Sequence, residues 1–374
     1  MNSTLFSPLI MRGLTLSNRV VIAPMCTYSA DDGNANDWHL MHMGQFAVSG
    51  TGMFITEATA VSPEGRISDK CIGLYSDENE AALVRIPAFA KSFGNTAMCV
   101  QLAHAGRKGA VRGPGSGLPP GPLGEEGGWP TLAPSALAFE ESWPVPAELD
   151  KSGIDDIVQA FVQAAQRADR LGFDAIELHG AHGYLMHQFL SPLSNTRDDD
   201  YGGSLENRMR FVFEVFDAVR AVWPAAKPLG IRVSATDWID GGWDVSDTIA
   251  LAKELEKRKC DFFHVSSGGI VNDAAISAGP GYQVPFAQQV KAEIGDMPVI
   301  AVGQISNARQ AETIVSTGQA DMVALGRPML FNPHWTWQAA AELGAEAPYP
   351  YQYTRSHPSL WSNPIPPGKP PANR

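Results

Sequence analysis

Short apolar runs and longer amphipathic segments alternate along this chain about eight times. The apolar runs are nearly continuous, which is typical of parallel strands covered on both faces. Eight strand-then-helix units fit a closed (β/α)8 TIM barrel of the α/β class better than an open doubly wound sheet, and no Gly-x-Gly-x-x-Gly turn follows the first run. The predicted strands are Val20 to Ala23, Met53 to Glu57, Ala97 to Gln101, Ala175 to Leu178, Leu229 to Val233, Phe262 to Val265, Val299 to Val302 and Met322 to Leu325.

Helical periodicity predicts a helix beside each strand. The clearest runs from Ile154 to Leu171, where apolar residues recur every three or four positions, with Ser152 near its start and Gly172 just after its end. The other predicted helices are Asp37 to Ser49, Asn79 to Phe93, Leu205 to Val222, Ser246 to Lys259, Pro285 to Ile294, Ala308 to Thr317 and Pro333 to Leu343.

Two segments fall outside this repeat. Ala103 to Asp150 follows the third strand and is rich in Gly and Pro, which predicts a lid or substrate-bounding loop rather than a second domain. The tail from Pro348 contains many prolines, so we expect it to pack on a surface or to reach a neighbouring subunit. We therefore predict one barrel domain, residues 1–347, and a proline-rich tail, residues 348–374.

Composition narrows the functional class. The formal net charge of −12 argues against nucleic-acid binding, and the chain shows neither a signal peptide nor an apolar run long enough for a membrane span. Cys26, Cys71, Cys99 and Cys260 stand far apart in the sequence, without the Cys-x-x-Cys spacing of zinc, iron–sulfur or redox sites. We therefore expect reduced thiols and a cytoplasmic protein.

Polar and reactive residues stand at the ends of the predicted strands. In a (β/α)8 barrel the carboxyl ends of the strands carry the chemistry. This coincidence predicts an enzyme, and the residues concerned are Cys26, Glu57, Gln101, His179, Arg232, Ser266, Gly303 and Arg327.

Two histidines and a tyrosine, His179, His182 and Tyr184, follow the fourth predicted strand. Two imidazoles can hold an oxygen that gains negative charge, and a phenol beside them can deliver a proton, which suits the reduction of a polarised double bond. The same histidines with a carboxylate such as Glu177 or Glu57 could instead build a metal-dependent hydrolase. Zinc usually needs a third protein ligand, and sequence spacing shows none nearby.

The order of several motifs resembles the old yellow enzyme family of FMN-dependent ene reductases, in its short, cysteine-bearing, thermophilic-like branch. The resemblance covers nearly the whole chain. The matching motifs are Asn18-Arg19-Val20, Ala23-Pro24-Met25-Cys26, Thr56-Glu57-Ala58-Thr59-Ala60-Val61, Gln101-Leu102-Ala103-His104-Ala105-Gly106-Arg107, the stretch from His179 to Tyr184, Ser194-Asn195-Thr196-Arg197, Tyr201-Gly202-Gly203-Ser204-Leu205-Glu206-Asn207-Arg208 and Leu325-Gly326-Arg327-Pro328.

The resemblance implies that FMN binds non-covalently in the barrel mouth. An amide at Gln101 suits the pyrimidine edge of the ring, a cation at Arg232 suits the site that becomes negative on reduction, and Arg327 suits the phosphate. A polarizable sulfur at Cys26 can adjust the redox potential. The full implied cofactor set is Ala23, Pro24, Met25, Cys26, Ala58, Gln101, Arg232, Gly303, Gly326 and Arg327.

The resemblance also implies a ping-pong reaction. NADPH or NADH reduces FMN and leaves, and an enone, nitro compound or maleimide then accepts hydride in the same pocket. His179 and His182 are implied to hold the substrate oxygen, Tyr184 to protonate the α-carbon from the opposite face, and Tyr28 to contact the substrate. Arg355, in the tail, is implied to enter the active site of a neighbour in a homodimer or homotetramer.

Other interpretations remain open on the sequence alone. A flavin-binding sensor in which Cys26 reports oxidation would use the same residues without turnover. Larger relatives such as dienoyl-CoA reductases carry an iron–sulfur cluster and further domains, for which this chain has neither the clustered cysteines nor the length. The pair His39 and His42, one turn apart on the first predicted helix, is expected to serve helix packing or to be solvent-exposed.

Overall fold

Eight parallel strands close into a barrel in the computed structural model of the chain, which describes residues 3–114, 117–119, 121–124 and 127–360. Strands consecutive around the barrel are hydrogen-bonded, and the eighth pairs with the first, with Val323 opposite Val20. This confirms the predicted TIM barrel. The strands are β1 Val20–Ile22, β2 Met53–Ala60, β3 Ala97–Ala103, β4 Ala175–Gly180, β5 Leu229–Ser234, β6 Phe262–Ser266, β7 Val299–Val302 and β8 Met322–Leu325.

The barrel interior is filled at its amino end. Side chains from the starts of several strands, among them Met53, Phe262 and Met322, form one buried cluster with Met11 and Leu16. These last two belong to an antiparallel hairpin, Leu9–Met11 paired with Leu14–Leu16. The hairpin thus closes the amino end of the barrel with apolar side chains. The carboxyl end is the end where chemistry is expected in such barrels.

Helices surround the barrel and bury their apolar faces against the outer side of the strands. The helix predicted from Ile154 begins earlier, at Lys151, because the Asp150 side chain accepts the Gly153 N–H and caps it, and it ends before Gly172 at φ 86°. The helices are α1 Asp37–Ala47, α2 Asp77–Leu83, α3 Arg85–Phe93, α4 Lys151–Leu171, α5 Leu185–Leu190, α6 Leu205–Val222, α7 Val245–Lys257, α8 Val284–Glu293, α9 Ala308–Ser316, α10 Arg327–Phe331 and α11 Trp335–Leu343.

One predicted helix is wrong in outline. The segment Asn79 to Phe93 forms two helices, α2 and α3, which meet at Val84. The first begins earlier than predicted because Ser76 caps it, its hydroxyl accepting the N–H of Asn79. Short helices α5 and α10, directly after β4 and β8, were not predicted, since each is shorter than two full turns.

The long connection after β3 packs over the barrel mouth. It contains a two-residue parallel pairing of Leu132–Ala133 with Ala147–Glu148. The buried Arg107 guanidinium donates to the Leu137 carbonyl at 3.3 Å and to the Ile270 carbonyl, after β6, at 2.9 Å. The connection is thereby tied to the opposite side of the mouth.

The tail returns to the barrel surface through aromatic contacts. Tyr349 stacks on Trp337 of α11 with ring centres 4.4 Å apart, and a 3-10 helix follows at Tyr351–Ser356. The part of the predicted tail from position 361 onward lies outside the described residues. Across the described ranges, no helix is both long and apolar enough to cross a membrane.

Candidate active site

His179, His182 and Tyr184 are brought together by a tight turn at the end of β4. His182 has a left-handed backbone, with φ 59°, and Gly183 follows at φ 75°, where a side chain would collide with the Gly269 carbonyl oxygen. The ring centres of His179 and His182 are 5.2 Å apart, and those of His179 and Tyr184 are 5.0 Å apart. The three side chains therefore form one cluster.

The hydrogen bonding of His179 decides where its proton resides. The Ala181 N–H donates to Nδ1 of His179 at 3.3 Å, so a neutral ring carries its hydrogen on Nε2. Burial, and then the positive charge of Arg232, hold the pKa of His179 well below its usual value. The ring is thus a neutral donor near pH 7.

His182 is oriented by two serines. Its backbone N–H donates to Ser234 Oγ at 2.9 Å, and its Nε2 lies 2.7 Å from Ser266 Oγ. Arg232 Nη2 is 3.5 Å from the same Ser266 oxygen. The guanidinium can only donate, whereas the Ser266 hydroxyl can donate to Nε2 or accept from it, so these contacts are compatible with either tautomer of His182.

Tyr184 keeps its proton, and a lysine lies beneath it. Burial, followed by the influence of Cys26, holds the pKa of Tyr184 well above its usual value. Lys108 Nζ lies 5.3 Å from the Tyr184 ring centre and donates to the carbonyls of His182 and Gly269, each at 2.8 Å. Burial lowers the pKa of Lys108 to about 8. Sequence reasoning missed Lys108, although it directly follows the Gly106-Arg107 motif.

Gln101 and Glu57 lie inside strands rather than at strand ends, since β2 and β3 continue to Ala60 and Ala103. Gln101 Nε2 donates to Glu177 Oε1 at 2.8 Å, and the other Glu177 oxygen is 2.8 Å from Nδ1 of His264. Glu177 is fully buried. It fixes the orientation of the Gln101 amide, a role that sequence reasoning did not assign.

A pocket of about 1280 Å³ opens at the carboxyl ends of the strands. Gly303 has φ 122°, and a Cβ there would lie 2.7 Å from Gln283 Nε2; at Gly326 a Cβ would lie 3.3 Å from Met25 Sδ. A side chain at Gly303 would thus collide with Gln283, and one at Gly326 would press on Met25. The predicted site residues in its wall are Ala23, Pro24, Met25, His182, Arg232, Gly303, Gly326 and Arg327.

The segment after β1 contributes Cys26 and Tyr28. Both pack with Ala58 and Tyr184 in one small apolar cluster. Burial raises the pKa of Tyr28. Between them, the hydroxyl of Thr27 donates to Glu57 Oε1 at 2.7 Å, which fixes the segment to β2.

The carboxylates required by the metal-hydrolase alternative are engaged elsewhere. Glu57 is bonded to Thr27, and Glu177 is bonded to Gln101 and His264. Within the described residues, no group of three His, Cys, Asp or Glu side chains could hold a metal ion. Among the residues that the structure describes, the alternative therefore has no third protein ligand beside His179 and His182.

Three further predicted residues lie outside the cluster. Arg355 is exposed on the tail and does not line the pocket of its own chain. His39 and His42 are buried in α1, so the packing interpretation holds and the exposed one does not. His39 Nδ1 accepts the Asn36 N–H and caps the helix, while its Nε2 lies 3.7 Å from Glu57 Oε1.

Comparisons with known proteins agree with this geometry. The model of the NADH:flavin oxidoreductase / NADH oxidase family matches residues 4–346. The NADPH dehydrogenase of Geobacillus thermodenitrificans is 46% identical over 357 residues, which are 95% of this chain and 99% of that protein. The NADPH dehydrogenase of Bacillus subtilis is 42% identical over 353 residues, or 94% and 98%.

Among solved structures, morphinone reductase in complex with tetrahydroNAD has a similar fold. The TM-score is 0.74 at 30% sequence identity, and the match covers 92% of each chain. The similarity extends over the whole barrel.

Proposed function

The chain belongs to the NADH:flavin oxidoreductase / NADH oxidase family, and from that membership we propose how its own residues reduce an activated carbon–carbon double bond. It is an FMN-dependent NAD(P)H oxidoreductase of the old yellow enzyme type. The proposed substrates are α,β-unsaturated carbonyl compounds, nitroalkenes and maleimides.

The residues in the barrel mouth fit FMN. Gly303 and Gly326 carry no side chain in the part of the pocket wall where we place the phosphate, and the exposed Arg327 supplies a cation beside them. Arg232 and Gln101 offer donors to the ring edge; the Nε of Arg232 is buried without a protein partner. When bound there, FMN supplies a hydride that it has received from NADPH or NADH.

The remaining proposed ring contacts come from the segment after β1 and from β2. Ala23, Pro24 and Met25 line the pocket, and Cys26 packs with Ala58 directly beside them. We assign Ala58 a backbone contact and Cys26 a sulfur contact that adjusts the potential of the ring.

On the substrate side, His179 and His182 hold the oxygen. Both rings are neutral near pH 7, since burial holds their pKa values well below the usual value. The hydrogen of His179 lies on Nε2, and we assign that of His182 to Nδ1, with Ser266 donating to its Nε2. Neutral donors in a buried site stabilise charge that develops on the oxygen, since they need no reorganisation when it appears. Tyr28 packs in the small apolar cluster that also contains Tyr184, and we assign it a substrate contact.

Tyr184 delivers the proton to the α-carbon. Its raised pKa keeps the phenol protonated throughout the neutral range, as a general acid requires. The Lys108 cation below the ring favours the phenolate that remains after transfer. A proton from solvent then restores the phenol.

One observation carries this proposal: the neutral donor His179 and the acid Tyr184 lie 5.0 Å apart, ring centre to ring centre, beside the pocket in which we place FMN. In the test, the yellow protein is reduced with NADPH or NADH without oxygen and then mixed with 2-cyclohexenone. We expect flavin absorption to bleach and to return. Colourless protein, or reduced flavin that no enone reoxidises, refutes the proposal; sustained turnover also separates an enzyme from a flavin-binding sensor.

We further propose a cytoplasmic homodimer or homotetramer in which Arg355 enters a neighbouring active site. Arg355 is exposed, and the tail that carries it is held on the barrel by Tyr349 and Trp337. Replacing Arg355 with Ala is expected to weaken enone binding. Unchanged kinetic constants would refute this assignment.

A further inference from the structure

Two thiols that are distant in the sequence meet beside the cluster of tyrosines. Cys26 follows β1, and Cys71 lies in the turn after β2. Cys26 packs against the small buried cluster that contains Cys71. Ser68 Oγ lies 3.4 Å from the Cys71 sulfur. Cysteines that the sequence separates thus form a pair in the folded chain.

The backbone holds the two segments side by side. The Ala30 N–H donates to the Lys70 carbonyl at 2.9 Å, and the Gly73 N–H donates to the Gly33 carbonyl at 2.9 Å. The Cys71 N–H closes its own turn on the Ser68 carbonyl at 3.2 Å. Since these bonds lie close to Cys71, its thiol has little freedom to move away from Cys26.

The two thiols differ in exposure. Cys26 is partly exposed and packs with Tyr28 and Tyr184, whereas Cys71 is 1% exposed. A small oxidant that enters the active site can therefore reach Cys26 first, with Cys71 directly behind it.

The two thiols also differ in acidity, and both differ from the remaining cysteines. Interaction with the Cys26 thiol lowers the pKa of Cys71, and interaction with Cys71, followed by burial, raises the pKa of Cys26. Burial raises the pKa of Cys99 and of Cys260. Among the four, Cys71 is thus the thiol whose environment favours the thiolate.

We propose that Cys26 and Cys71 form a reversible disulfide, and that this pair is an oxidative modification site for hydrogen peroxide or organic hydroperoxides. The Cys26 thiol passes its proton to the Cys71 thiolate, and the Cys26 thiolate so formed attacks the peroxide. The O–O bond breaks, Cys26 becomes a sulfenic acid, and the leaving oxygen takes the proton from Cys71 and departs as water or an alcohol. The Cys71 thiolate then attacks the Cys26 sulfur, the S–O bond breaks, and a second water leaves. The two thiols lose two electrons and two protons, and the peroxide is reduced.

This inference goes beyond the proposed reaction and does not depend on it. Disulfide formation would withdraw the Cys26 sulfur from its contacts with Tyr28 and Tyr184. Peroxide would thereby alter the same pocket in which the substrate is proposed to bind.

The test uses the purified flavoprotein, treated with graded hydrogen peroxide, alkylated under denaturing conditions and mapped by mass spectrometry without reduction. We expect a peptide that links Cys26 to Cys71, lighter by two hydrogen atoms, with two of the four thiols protected from alkylation. Dithiothreitol should restore both thiols. Oxidation of Cys26 to a sulfinic acid without this link, or no change in either thiol, overturns the proposal.

Single substitutions test which cysteine is oxidised first and which one closes the disulfide. Cys71→Ser should give no link, and its Cys26 sulfenic acid should be trapped by dimedone; Cys260→Ser, a matched control at a buried cysteine, should form the link as wild type does. Two protected thiols in Cys71→Ser would overturn the pairing. If that variant does not fold, Cys71→Ala replaces it, and the wild-type map decides the proposal in either case. No turnover assay is involved, so failure of the enone reaction leaves this result interpretable.

Discussion

Ser266 Oγ lies 2.7 Å from Nε2 of His182 and 3.5 Å from Nη2 of Arg232. One hydroxyl therefore connects the guanidinium proposed to face the flavin with the imidazole proposed to hold the substrate. Because Arg232 can only donate, Ser266 accepts from it, and in the tautomer that we assign to His182 the serine donates to Nε2. Burial, and then the positive charge of Arg232, hold the pKa of His182 well below its usual value, so the proposed cofactor side contributes to keeping this ring neutral.

Replacing Ser266 with Ala should lower kcat/KM for enones about tenfold. The loss of one hydrogen bond to an otherwise buried group costs roughly 1–1.5 kcal/mol, and 1.4 kcal/mol corresponds to tenfold. The effect should fall on reoxidation by the enone and leave FMN bound. Steady-state kinetics with flavin absorbance measure both, and Ser49→Ala, a buried serine that bonds the Phe46 carbonyl far from the site, is the matched control. Equal losses in the two variants would reduce Ser266 to a packing role.

Two substitutions at His182 test whether its N–H donor or the imidazole ring itself is required. His182→Asn keeps an N–H donor and should retain most enone reduction. His182→Ala removes the donor and should cost about 10²-fold in kcat, the typical effect of deleting one oxyanion donor. Rates of enone reduction under identical conditions give the comparison. Similar losses in both would show that the ring, not its hydrogen, is what matters.

The lowered pKa of Lys108 predicts that the rate of enone reduction depends on pH. Its pKa is lowered to about 8 by burial, so the ammonium is charged below that pH and neutral above it. We expect the rate of reoxidation by enone to fall as the pH rises through about 8, while Tyr184, with its raised pKa, remains protonated. In Lys108→Met this step should disappear from the pH profile. A profile that keeps the step would assign it to another group.

Substitution of Gly303 by Ala tests its proposed place in the FMN site, and the same substitution at Gly318 is the control for backbone strain. Both have positive φ, 122° and 74°, so Ala at either position should cost on the order of 1–3 kcal/mol of stability. Only at Gly303 would the added Cβ meet a neighbour, Gln283 Nε2 at 2.7 Å, while Gly318 has open space. We expect weaker FMN binding in Gly303→Ala alone, measured by flavin fluorescence during reconstitution. Equal FMN affinity in the two variants would remove Gly303 from the cofactor site.

The barrel could be predicted because each strand is a short apolar run buried on both sides, and because the runs recur with helices between them. Details set by side-chain contacts could not. The start of α4 depends on the Asp150 cap. The break at Val84, in contrast, could have been predicted, because Pro87 in the first turn of α3 has no N–H to donate to the Leu83 carbonyl four residues earlier. The extension of β2 and β3 past Glu57 and Gln101 depends on pairing with neighbouring strands.

Within the candidate site, the sequence indicates side chains near one strand end, such as His179 and Tyr184, because a single turn holds them. Contacts between residues that only the tertiary fold brings together could not be predicted from the sequence. Lys108 reaches Tyr184 from the connection after β3, and Glu177 holds Gln101 across two strands. The meeting of Cys26 with another cysteine likewise depends on two loops bonded through their backbones.

The most direct test of the account is Tyr184→Phe, followed by anaerobic stopped-flow absorbance in each half-reaction. Flavin reduction by NADPH should stay close to the wild-type rate, because it needs no proton from this phenol. Reoxidation by 2-cyclohexenone should slow by about 10²-fold or more, as expected for the loss of a general acid. Equal slowing of both half-reactions, or reoxidation at the wild-type rate, would contradict the role of Tyr184 as proton donor.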